Sequence, residues 1–241
     1  MIWNCIFDSQ YGQYGGAIYN EESYANVFGC TFVRNWEGDG FGIYNEGGAP
    51  TIANCTFREN YGFNGPIVNV TSNAIVKNCD FLKNIATDWV GGMWNIGSRL
   101  VVSDCTFIGN HGIAMYNDDI DTTVTNCTFI ANTSVGLESH SGGNLTVVNS
   151  IFVAISSGIG VGNGTTSVVK NCTISGNVWW GFSHGGNGVN MTNSIVWGNS
   201  ACDLYNADGA LITIKSSNIS GGLPVGTMDG GGNVDTDPLF V

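Results

Sequence analysis

Five aromatic residues recur in one phrase: Ala17-Ile18-Tyr19-Asn20, Gly42-Ile43-Tyr44-Asn45, Gly92-Met93-Trp94-Asn95, Ala114-Met115-Tyr116-Asn117 and, far along the chain, Asp203-Leu204-Tyr205-Asn206. Val68 interrupts the series. On a strand, alternation turns the aromatic outward when the apolar residue before it and the asparagine after it face in. A row of flat rings with carboxylates nearby suits stacking on sugar faces and hydrogen bonding to hydroxyls. The segments ahead of these phrases supply Trp36, Asp39, Asp88 and Trp89 as flanking candidates for a polysaccharide or cell-surface glycan. Exposed aromatics also simply pack on their cross-strand neighbours, and that plainer reading applies to the same residues.

Other groupings carry less chemistry. Asp229, Asn233, Asp235 and Asp237 place oxygens at spacings used by calcium loops, but the bidentate glutamate of an EF-hand is missing, so a solvated cap is the competing reading. Calcium is the only cofactor to which the sequence points. Arg34, Glu59 and Lys83 share one repeat position, and alternating charges of that kind mark surface ion pairs more often than an elimination site. Asp118, Asp119 and Asp121 form an acidic loop without the further carboxylate and histidine patterns of a polysaccharide hydrolase. His111, His140 and His184 fall at different repeat positions or two repeats apart and make no zinc set.

What must position these residues is a repeat. Asn4-Cys5-Ile6-Phe7 returns as Gly29-Cys30-Thr31-Phe32, Asn54-Cys55-Thr56-Phe57, Asn78-Cys79-Asp80-Phe81, Asp104-Cys105-Thr106-Phe107 and Asn126-Cys127-Thr128-Phe129. It decays through Asn149-Ser150-Ile151-Phe152, Asn171-Cys172-Thr173-Ile174 and Asn193-Ser194-Ile195-Val196 to Ser216-Ser217-Asn218-Ile219. The steps are 25, 25, 24, 26, 22, 23, 22, 22 and 23 residues, a period that belongs to stacked supersecondary units.

Short runs of Val, Ile, Thr and Phe between Gly and Asn read as strands with turns. The residue two before each Cys or Ser is Lys77, Lys170 or Lys215 in three repeats, so that column faces water. Cys and Phe then both face in only if the parity slips at the Asn, a residue that tolerates the left-handed backbone of a tight bend. Phe-x-x-Asn marks a second bend at Asn35, Asn60, Asn84, Asn110, Asn132, Asn177 and Asn199. With the aromatic strand this makes three short strands per repeat: an all-β, single-stranded parallel β-helix of about ten coils, one domain over 1–241. Residues from about 220 to 241 read as a C-terminal capping loop. Side chains of successive asparagines can bond to one another along the stack.

Phe-x-x-Asn and Gly15-Gly16-Ala17-Ile18 resemble the repeats of chlamydial polymorphic outer-membrane proteins and, more widely, secreted bacterial right-handed parallel β-helix proteins. The run Ser194-Ile195-Val196-Trp197-Gly198-Asn199 and the ending Gly232-Asn233-Val234-Asp235-Thr236-Asp237-Pro238-Leu239-Phe240-Val241 are similar to the last coils of bacterial surface proteins with a choice-of-anchor type C-terminal domain. The resemblance implies right-handed winding and an extracellular or cell-surface location. It implies no catalytic residues, because such groups are defined by their repeats.

A net charge of −12 with seven Lys plus Arg argues against nucleic acid and anionic membrane as partners. No run of 18 apolar residues exists for membrane insertion, and Met1 opens almost inside a repeat with no export signal, as in a piece of a longer exported protein. Uncapped end coils would expose sheet edges and favour end-to-end self-association. Seven of the eight cysteines share one inward column, where parallel stacking suits reduced thiols better than disulfides; Cys202 lies outside it. The expected function is a non-catalytic surface stalk or adhesin that contacts glycans. The alternative is a fragment of a polysaccharide lyase or glycoside hydrolase with a pectate-lyase-like fold.

Overall fold

The computed structural model describes residues 1–206 and 209–240, with Ser98 by its backbone. Every strand pairing among them is parallel and joins one repeat to the next. The phenylalanine strands, from Ile6–Asp8 to Asn218–Ile219, form a ten-stranded sheet with one strand per coil. The strands before the Cys or Ser and the aromatic strands make two further ladders. These join because Ile85–Ser103 and His111–Thr125 run through both without a break, giving a single 19-stranded sheet. The fold is thus a parallel β-helix with no helix among the described residues.

The register repeats the phrase residue for residue. Phe7, Phe32, Phe57, Phe81, Phe107, Phe129 and Phe152 align, and their rings stack with centroids 4.5–5.0 Å apart and planes within 9°. From Phe32 onward these side chains are wholly buried, beside Val27, Ile52, Val76, Val102 and Val124 from the strand before the Cys. Lys77, Lys170 and Lys215 stand exposed in the opposite phase of that strand, as the alternation requires.

The two asparagine bends work differently. At the first, Asn54, Asn78, Asn126, Asn149, Asn171 and Asn193 themselves adopt φ of 50 to 55°, which flips the parity so that Cys and Phe both point in. Their exposed amides bond from coil to coil, for example Asn171 to Asn149 at 2.9 Å. At the second bend the left-handed residue is the one before the asparagine: Arg34, Glu59, Lys83, Gly109 and Ala131. The asparagine is buried there. Asn84 Oδ1 accepts the backbone N–H of Asn60 at 3.1 Å and its Nδ2–H at 2.8 Å, while Asn84 Nδ2 donates to the Phe57 carbonyl. The amide thus satisfies a neighbouring coil's backbone where no strand does.

The thiol column has a similar logic. Cys79, Cys105 and Cys127 each direct their Sγ to the carbonyl two residues earlier, at 3.1–3.3 Å. Ser150, Ser194 and Ser217 make the same bond through Oγ at 2.9–3.0 Å. A small inward donor is what this place in the coil asks for, so Cys and Ser exchange along the repeat.

The residues expected to form a C-terminal cap continue the winding. Thr227–Asp229 pairs in parallel with Leu211–Lys215, and Val234 bridges to Asn218.

Candidate functional site

The aromatic column runs Tyr19, Tyr44, Val68, Trp94, Tyr116, Glu138, Gly160, Ser183 and Tyr205 in register. Sequence spacing suggests Gly162 in place of Gly160, but Ser157–Val161 lacks the aromatic-Asn phrase that would have fixed the phase. Along the same strands Asn20, Asn45, Asn69, Asn95 and Asn117 form a second inward chain of amide bonds at 2.7–3.0 Å.

This column is not one open row; it divides into three parts. In the first coils Tyr19 and Tyr44 stack at 5.7 Å with 17° between planes, and Tyr14 meets Tyr44 edge-on at 5.3 Å. Tyr14, Tyr19, Tyr44 and Glu46 line a recess of about 310 Å³. The Tyr19 hydroxyl donates to Glu46 at 2.6 Å, a bond that pushes the phenol up to about 12 because ionisation would break it. Burial, then the charges of Glu46 and Asp39, raise Tyr44 as well.

In the middle the expected outward row is covered. Tyr116 is only 8% exposed, and Val68 is fully buried. Val90, Ile113 and Tyr116 form a small apolar cluster outside the main core, with Trp94 half-buried against it. Trp89, expected to flank a groove, lies over Tyr116 instead. The covering residues come from the leading parts of Ile85–Ser103 and His111–Thr125, where Val90 pairs with Ile113. Neither Trp94 nor Tyr116 is therefore a freely exposed platform.

The other long connections of the early coils build a corner of their own. Tyr11, Trp36 and Tyr61 bridge in parallel, as do Tyr14, Asp39 and Asn64. Trp36 and Tyr61 are about half exposed and, with Phe63, line a separate cavity of about 240 Å³. Asp39 accepts from the Asn64 side chain at 2.9 Å, and Asp88 stands exposed.

The third part, over coils six to nine, was not evident from the sequence. His140 Nε2 lies 2.7 Å from Glu138 Oε1, and its ring is 5.8 Å from that of Tyr116. The bond to Glu138, chiefly, holds the imidazole above its ordinary value; the charges of Glu138 and Asp118 add to this and burial opposes it. Trp180 and Tyr205 stack at 5.2 Å with 8° between planes. Tyr205 carries the aromatic-Asn phrase and was legible; Trp180 lies outside any recurring phrase.

The remaining candidates do not converge. Arg34 pairs with Asp8, while Glu59 pairs with Arg58 at 3.4 Å, all on the surface. Asp121 accepts the Asn144 backbone and side-chain N–H groups. Asp229, Asn233 and Asp235 border one small cavity of about 160 Å³. Asp229 accepts from the Gly231 backbone and the Asn233 side chain, Asp235 from Gly221, and Asp237 from Leu239 outside that cavity. Among the described residues no three His, Cys, Asp or Glu side chains gather as a metal set.

Residues 63–177 match the family described as right handed beta helix region, in agreement with the parallel β-helix fold. No curated protein matches the sequence. Among solved structures, it is similar to the A-module of a mannuronan C-5 epimerase from Azotobacter vinelandii, at 12% identity and a TM-score of 0.47 over 78% of this chain. The chain spans 64% of that module's length. A plasmid-mediated fluoroquinolone resistance protein is similar at 12% identity and a TM-score of 0.45, over 85% of this chain and 90% of its own.

Proposed function

We propose that this chain is a non-catalytic β-helix module of an extracellular or surface protein, a stalk or adhesin that contacts glycans through its aromatic strands. The observation that supports this most is the recess of Tyr14, Tyr19, Tyr44 and Glu46, where ring surface and a carboxylate acceptor stand together on a rigid sheet. A sugar needs both: an apolar face for its C–H groups and an acceptor for its hydroxyls. The connections of the early coils add further ring surface at a separate cavity, with Trp36, Tyr61 and Phe63.

A glycan array read with the parent protein, alongside assays for reducing ends and for unsaturated uronates, tests the proposal. Binding without product, weakened about tenfold by Tyr44→Ala, is the expected result, since one aromatic contact contributes about 1–2 kcal/mol. Glycan turnover, or no glycan bound at all, would remove it.

A further inference from the structure

Glu138 and His140 share the strand Val135–His140, Trp180 and Tyr205 come from two others, and the small residues between them leave a space. The column is occupied there by Gly160 and Ser183, the two smallest residues in its nine positions. One residue pair further along the strand, Gly162 faces His140 so closely that a Cβ on it would lie 1.9 Å from the imidazole Nδ1. Glycine at 162 is therefore what lets the His140 ring lie down over the next coil. The result is a recess of about 330 Å³ with His140 on one side, Trp180 and Tyr205 on the other, and Ser183 and Gly162 in its lining.

The chemistry of the walls is specific. Trp180 and Tyr205 are 37% and 44% exposed although each stacks on the other, so ring surface remains available. His140 is held in place by Glu138. Charge narrows the ligand further. The seven cations are Arg34, Arg58, Lys77, Lys83, Arg99, Lys170 and Lys215; none lines the recess, and of them Arg99 alone shares a strand with the aromatic column, at the far end of Ile85–Ser103. Asp118 stands in register beside His140, and its Oδ1 is buried with no hydrogen-bond partner. A histidine already matched to one carboxylate and neighbouring a second offers no surplus positive charge to an acidic sugar.

We propose that this recess is a second saccharide site that takes one uncharged hexose unit of an oligosaccharide, packed on Trp180 and Tyr205 with its hydroxyls toward His140 and Ser183. The inference rests on the glycan reading of the same sheet, but it adds a location and a class, and it separates this chain from binders of polyuronates.

Isothermal titration with cellohexaose, mannohexaose and laminarihexaose as uncharged probes, and hexagalacturonate as the acidic one, tests it. Parent protein should bind at least one uncharged hexasaccharide more tightly than hexagalacturonate. Trp180→Ala, and Ser183→Trp, which fills the recess from a partly exposed position, should each weaken that binding tenfold or more. Thermal melts of both variants identify any loss that comes from unfolding, and either variant suffices if the other does not fold. If both fold and bind as the parent does while Tyr19→Ala and Tyr44→Ala abolish binding, the second site falls and the first reading stands. Tighter binding of hexagalacturonate overturns the uncharged class, and binding of none of the uncharged probes overturns the site.

Discussion

The ring of Trp89 lies 4.7 Å from that of Tyr116, with 40° between their planes. This contact turns a residue on the outward face of a strand into part of a small second core with Val90 and Ile113. Tyr116→Ala should therefore cost stability, about 2–4 kcal/mol by the usual scale of a buried aromatic, whereas Trp89→Ala should cost about 1 kcal/mol, the worth of an aromatic pair. Urea unfolding followed by circular dichroism measures both. Equal and negligible effects would mean that the covering segment does not pack as described.

The two bends predict opposite responses to glycine. Asn126 is exposed at φ 55°, so Asn126→Gly should be within about 0.5 kcal/mol of the parent, while Asn126→Ala pays about 1 kcal/mol for the left-handed backbone. Asn110 is buried, and its Oδ1 accepts both the backbone N–H and the Nδ2–H of Asn84. Neither Gly nor Ala replaces that acceptor, and either substitution should destabilise by about 1–3 kcal/mol. Glycine rescue at Asn110 would refute the distinction.

The thiols should divide by burial. Cys172 is pushed up to about 11 chiefly by burial, and Cys127 is raised by its bond with Cys105 and then by burial. Without denaturant these two should resist a maleimide for hours, while Cys5, which is exposed, and Cys202, which is partly so, react first. Mass spectrometry of labelled peptides reads the order directly. Early modification of Cys127 would contradict the packing.

His140 gives a pH dependence. Its imidazole is raised by Glu138, so the contribution to stability is complete below the unfolded value of about 6.5 and disappears as pH rises through the higher folded value. The melting temperature should fall across that interval in the parent and lose this component in His140→Gln. An NMR titration of the imidazole with a midpoint at or below the unfolded value would reverse the expectation.

The parts of this molecule that repeat were legible in the sequence, because identical coils impose the same parity ten times. The lysine column, the inward Cys/Ser and Phe columns, and both asparagine bends lie where the phrase puts them. The aromatic row was legible in register but not in exposure. Tyr19 and Tyr116 occupy equivalent places on their strands, yet one is open and the other covered, since Trp89 lies over Tyr116 and the paired Val90 and Ile113 pack beside it. The Trp180 recess was hidden as well. It arises from what is missing at Gly160, Gly162 and Ser183, and a missing side chain leaves no periodic signal.

The phenylalanine pile, with rings 4.5–5.0 Å apart, also determines how the molecule yields to force. Each ring stacks on the ring above and the ring below, so tension applied at the two ends loads one coil-to-coil interface at a time. Such a tether pays out in steps: a coil of 22 to 26 residues, once peeled from the stack, lengthens to about 8 nm of extended chain. The remaining coils stay wound, and the aromatic surface that they carry stays intact while the line to it grows longer.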